Sequence, residues 1–206
     1  MGDRSKKVVA SKIPPVNELI NRFDFIENEI LQENIATSFQ YVIFLIAVIE
    51  EEGAENSTIS SSIYKNIILY TGAIVEGCVH YALRKFIDEG VVRSADVMNK
   101  DWAYKDEKKL YKISEEERVI GVISHLKVNK LTDKTNFILV NRACKRAGIL
   151  DRKLFEKVEE LREKRNKIHL VGLRNVDNRY VKRDAQKFFD IAREVIEVVE
   201  EKLKGI

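Results

Sequence analysis

Residues 151–173 read DRKLFEKVEELREKRNKIHLVGL, and this stretch decides how the rest of the chain is read. Asp151 is placed to cap the first free N–H groups of a helix, and Gly172 supplies the left-handed residue that commonly follows a last turn. The spacing therefore predicts a helix of about five turns. At 100° per residue, Leu154, Val158, Leu161 and Ile168 form one apolar stripe with Arg165 in its middle. Arg162 and His169 lie on the edge of that stripe and Asn166 a little further round, while Glu156, Glu160, Glu163, Lys164 and Lys167 form a solvated face. A guanidinium on an apolar stripe needs a partner, because an unpaired buried cation is costly.

Outward from this stretch, composition points the same way. The chain has 206 residues, only 9 glycines and 2 prolines, and an abundance of Lys, Glu, Ile, Val and Leu, which favours long helices over a many-turned sheet protein. The expected fold is all-α, an up-and-down bundle of long antiparallel helices with additional helices. Residues 1–15, basic and ending in Pro14-Pro15, read as a flexible N-terminal arm, and 16–206 as a single domain. Helices are expected from Val16 to about Leu31, from Ile35 to Glu52, from Ile63 to Ile87, from Asp133 or Thr135 to Ala147, and from Tyr180 to Leu203. Residues 91–112 read as a partly helical, irregular insertion whose aromatics are packed. Ser114 and Glu117 read as a capping box opening a helix to about Lys127, with His125 near its exposed end.

The Ile63–Ile87 segment is apolar almost all round, yet it carries Glu76 and His80 one turn apart. Two readings stay open: an internal Glu76–His80 pair, or a cross-helix pair between Glu76 and Arg165. Cys78 and Cys144 have neither a disulfide-framework count nor paired-ligand spacing and are expected to be reduced and packed. No secretory signal is visible, and YVIFLIAVI is too short to span a bilayer, so a cytoplasmic protein with no membrane partner is expected.

The net charge is only +3, which excludes a polycationic glove for nucleic acid. The local charge is different: between Arg162 and Asp184 eight Lys or Arg stand against three acidic residues. There is no Gly-rich phosphate loop, no His-Glu-x-x-His pair and no nucleotide-binding βαβ pattern. Histidines at 80, 125 and 169 are too scattered for a histidine-rich metal site in one chain, so no metal and no cofactor are expected.

Arg162, Arg165, Asn166 and His169 combine planar cations for phosphate oxygens, an orienting amide and a proton carrier that titrates near neutrality. That set suits metal-free cleavage of RNA, in which a base takes the 2′-hydroxyl proton and an acid protonates the leaving 5′-oxygen. One histidine cannot do both at once, so a homodimer that brings two copies together across the apolar seam is expected. Glu76 and His80 are supporting candidates. A DNA-reading helix-turn-helix over residues 135–161 is the weaker alternative, since Leu154, Phe155 and acidic residues occupy the positions that would read bases.

LREKRNKIHL, preceded by GILDRKLFEKVEE, followed by a final amphipathic helix and accompanied upstream by LYTGAIVEGCVHYALRKF, resembles the HEPN (higher eukaryotes and prokaryotes nucleotide-binding) superfamily. The likeness covers roughly residues 60–90 and 135–204. The resemblance implies an all-α bundle, two-fold dimerisation and, in many members, metal-independent ribonuclease activity carried by an arginine and a following histidine with four to six residues between them. Arg162 has six residues between it and His169, which fits, but is followed by Glu163. Arg165 is followed by the expected polar Asn166 but has only three residues between it and His169, so both arginines remain candidates. A toxin or defence effector, restrained by an antitoxin or regulatory protein, is the implied role. A catalytically silent module binding RNA, nucleotide or protein is the alternative.

Overall fold

The computed structural model describes residues 13–52, 58–168 and 180–206. His169, Gly172 and most of the N-terminal arm lie outside the described residues. The fold is predominantly helical: α1 (Val16–Ile20), α2 (Glu29–Glu52), α3 (Thr58–Asp88), α4 (Ser94–Val97), α5 (Phe137–Arg146), α6 (Arg152–Asn166) and α7 (Lys182–Leu203), with one antiparallel hairpin, β1 (Lys100–Lys112) and β2 (Arg118–Val128), between α4 and α5. A 3-10 turn, Asn21–Phe23, follows α1.

The long helix α3 sits at the centre because its apolar residues point in most directions. Ile67, Ile68, Ile74, Val75, Cys78, Val79, Ala82 and Leu83 are all buried, and α2, α5, α6 and α7 pack around it. Each surrounding helix contributes one stripe: Ile35, Phe39 and Val42 from α2, Val140 and Ala143 from α5, Leu154, Val158 and Leu161 from α6, and Phe188, Ala192, Val195 and Val199 from α7. Fully burying one such aliphatic side chain contributes about 2 kcal/mol, so the core is a sum over many stripes rather than one contact. Helix α2 is long and apolar enough, by length and composition, to cross a bilayer; here its inward stripe forms core against α3.

Cys78 and Cys144 are free and buried. Burial pushes the Cys78 thiol up to about 12 and the Cys144 thiol higher still, and Cys144 Sγ donates to the Val79 carbonyl at 3.3 Å. Both thiols should resist alkylation in the native protein at pH 8 and react fully in denaturant, as intact-mass measurement will show.

The clearest departure from expectation is the hairpin. Residues 114–127 are not a helix, and in 91–112 the helical part is the short α4 while the rest is strand rather than irregular: 100–128 form a long two-stranded ribbon. Five β-branched residues in β2, Val119, Ile120, Val122, Ile123 and Val128, together with Gly121, weigh against helix and for strand. The Ser114 capping signal exists but serves a turn. Ser114 Oγ accepts from the backbone N–H groups of Glu116 and Glu117, while the Glu117 carbonyl accepts from Ile113 and Ser114. Trp102, Tyr104 and Tyr111, expected to be packed, are all more than 60% exposed. His125 lies on β2.

Smaller corrections concern helix ends. The first helix stops at Ile20, and the Asn28 side chain accepts from Leu31 N at 2.8 Å to start α2 afresh. The cap of α5 is Asn136 rather than Asp133 or Thr135. Asp151 does cap α6, accepting from Leu154 N at 2.7 Å, but α6 ends at Asn166, short of the expected five turns.

Candidate functional site

One face of α3 organises the site. Glu76, His80 and Arg84 recur every four residues, so a helix stacks them on one side; Glu76 reaches α6, and His80 and Arg84 reach the connector between β2 and α5. Glu76 Oε2 accepts from Arg165 Nη1 of α6 at 2.5 Å. His80 Nε2 lies 3.0 Å from the Thr132 carbonyl. Arg84 Nη2 donates to Asp133 Oδ1 at 2.6 Å, and this guanidinium holds the Asp133 carboxyl below the usual carboxylate range. Of the two readings open for Glu76, the cross-helix pair with Arg165 is the one formed. His80 instead helps hold the connector between β2 and α5.

Arg165 reaches Glu76 because Gly72 lets it pass. A Cβ built on Gly72 would stand 2.9 Å from Arg165 Cδ, closer than packed carbons sit. Gly72→Ala should therefore leave the fold intact, since alanine favours helix over glycine by about 1 kcal/mol, while shifting Arg165 off Glu76. A melting temperature held within a few degrees, together with loss of the Glu76–Arg165 contact in a structure of the variant, is the expected result.

Arg162 is anchored separately. Its Nε and Nη2 donate to Glu159 Oε2 at 3.1 and 2.9 Å. The other oxygen of that carboxylate accepts from Asn141 Nδ2 of α5 at 2.5 Å. The side chains of Arg162 and Glu159 are only 14% and 18% exposed, and Asn141 is fully buried. The sequence reading missed Glu159, Asn141, Asp133 and Gly72. The available signal was the Glu159–Arg162 spacing of three, which puts the two on one face; nothing in the sequence brings Asn141 to them.

Leu69, Glu76, Lys134, Arg162, Arg165 and Asn166 line a cleft of about 410 Å³ between α3, α6 and the 132–137 connector. Arg162, Arg165 and Asn166 are thus brought to one wall, with Glu76 opposite. Each guanidinium carries five donors. Among the described residues Arg165 uses one on Glu76 and Arg162 two on Glu159, so toward those residues both have donors to spare for an anion. Among the described residues no group of three or more His, Cys, Asp or Glu is arranged to hold a metal ion. Beside the cleft, α3 also exposes Tyr70, which meets Tyr41 of α2 edge-on at 4.6 Å between ring centroids, and Tyr41 stacks on Phe44. All three rings are 38% exposed.

The chain matches no family model, no curated protein and no solved structure. The site is therefore read from its own chemistry.

Proposed function

We propose that the protein is a metal-independent endoribonuclease of HEPN-like architecture, acting as a homodimer on RNA in the cytoplasm. The observation that carries this reading is the convergence of Arg162, Arg165 and Asn166 on one wall of a cleft, with each guanidinium pre-oriented by a carboxylate and keeping donors free. His169 follows directly along the chain from the last described residue of that wall, Ile168. The RNA 2′-oxygen attacks the adjacent phosphorus as a base removes its proton, the P–O5′ bond breaks, and an acid protonates the departing 5′-oxygen. The products are a 2′,3′-cyclic phosphate and a free 5′-hydroxyl. Charge growing on the non-bridging oxygens falls to the arginines, which act without further reorganisation because they are already held.

Two copies of His169 divide the base and acid roles across a two-fold seam. The Tyr41, Phe44 and Tyr70 patch, adjoining the cleft along α3, is the apolar surface that seam would bury. Incubation with single-stranded RNA in EDTA should release cyclic-phosphate ends, and His169→Ala should lower that rate at least a thousandfold, within the range seen when a general acid–base group is removed, without changing the unfolding midpoint. A His169→Ala protein that cleaves normally would overturn the reading.

A second reading has one observation in its favour. Both arginines are paired with carboxylates, which lowers the net positive charge offered to phosphate. A catalytically silent module of the same architecture, binding RNA, nucleotide or a protein, would bind RNA in EDTA without cleaving it. The biological role proposed with the ribonuclease reading is that of a toxin or defence effector held in check by a partner protein.

A further inference from the structure

The β1–β2 ribbon is firmly rooted, and beyond its root no described element packs on it as a third strand or a covering helix. At its base, Arg146 donates to the Val97 carbonyl at 2.5 Å and to Asn99 Oδ1 at 2.9 Å, Asn129 bonds Asn99 and Asp101, and Val97 and Met98 are buried. Beyond the root, Trp102, Tyr104, Ile120, Val122 and Leu126 stay exposed. A lone two-stranded ribbon is marginally stable in water and normally needs a third strand or a covering helix.

The two edges of the ribbon differ. β1 carries eight charged residues in thirteen, and both irregularities of register insert their extra residue, Lys105 and Leu110, on its side. Charges and bulges are the devices that block strand addition. β2 has no bulge and is charged only near its ends. It is regular over eleven residues, with Arg118 first, Lys127 second to last and the run VIGVISHL, free of Lys, Arg, Asp and Glu, between them. Its outer backbone groups are an open template.

We propose that β2 pairs antiparallel with β2 of a second copy, so that two ribbons join into one four-stranded sheet. Residues opposite each other across an antiparallel pair share a face, so a two-fold pairing centres on a residue. Ile123 is the midpoint of β2, and centring there pairs the whole strand. Arg118 then faces Val128, Val119 faces Lys127, Ile120 faces Leu126 and Val122 faces Ser124, with no like charges opposed. Nucleic acid fits this ribbon poorly, since Asp101, Asp106 and Glu107 interrupt β1 and the turn carries Glu115, Glu116 and Glu117. This seam is separate from the aromatic patch on α2 and α3. Together the two seams either share one axis or build a tetramer of dihedral symmetry.

Cysteine cross-linking of the full chain tests the pairing, with little background because Cys78 and Cys144 are buried. Ile123→Cys should form a disulfide-linked dimer under mild oxidation. Val119→Cys, which the pairing holds about 27 Å from its copy, should not. The double variant Val122→Lys/Ser124→Lys opposes lysines across the seam and should weaken association at least tenfold by sedimentation. Tyr104→Lys lies on the same face but on β1 and should leave association unchanged. Equal or absent cross-linking at both positions, or equal weakening by Tyr104→Lys, overturns the proposal. None of these outcomes depends on RNA cleavage.

Discussion

On the ribonuclease reading proposed above, Arg165→Ala should abolish RNA cleavage, and it should lower stability by about 2 kcal/mol, the cost typical of losing a charged hydrogen bond. For a chain of this size that corresponds to roughly 4–8 °C in melting temperature. The reason lies in the Glu76–Arg165 contact, whose side chains are 32% and 29% exposed: the truncation strands a half-buried carboxylate against α3. Glu76→Gln keeps the shape and one acceptor but removes the charge, so it should cost less stability than Arg165→Ala. The double variant should cost less than the sum of the two, because each single change already breaks the same contact. Chemical denaturation of the four proteins of this cycle checks the coupling. Additive effects would show that Arg165 is held by something other than Glu76.

Glu159→Leu should be the most destabilising single change near the cleft, at about 3 kcal/mol, since it leaves both the Arg162 guanidinium and the Asn141 amide without their shared acceptor in a mostly enclosed place. Glu159→Gln should recover part of that loss through its remaining carbonyl oxygen. Activity should follow orientation rather than stability: Glu159→Gln loses cleavage at temperatures where it is fully folded, because Arg162 keeps its charge but not its aim. Folded, fully active Glu159→Gln would show that Arg162 does not need this partner.

Much of the helical body was legible in the sequence. The apolar stripes of α6 and α7, the all-round apolar character of α3 and the Asp151 cap are local periodicity and local hydrogen bonding, which the chain declares without reference to its neighbours. The same holds for the suspicion that Arg165, set on an apolar stripe, must have a partner. The hairpin was misread because its turn uses the same Ser114-to-backbone bonds that open a helix, and charged β1 lacks the alternation that marks a half-buried strand.

Which residues form the long helices, and which side chains on them are out of place, can be read along the chain. Three-residue and four-residue spacings are consequences of helix geometry and need no tertiary information. Who answers whom is a matter of how the helices dock. Glu76 answers Arg165 across 89 positions of chain, and Asn141 of α5 shares Glu159 with Arg162. Gly72 matters because of an arginine that passes it. Those pairings depend on how α5 and α6 dock on α3, and docking is set by the summed burial of whole stripes rather than by any local signal.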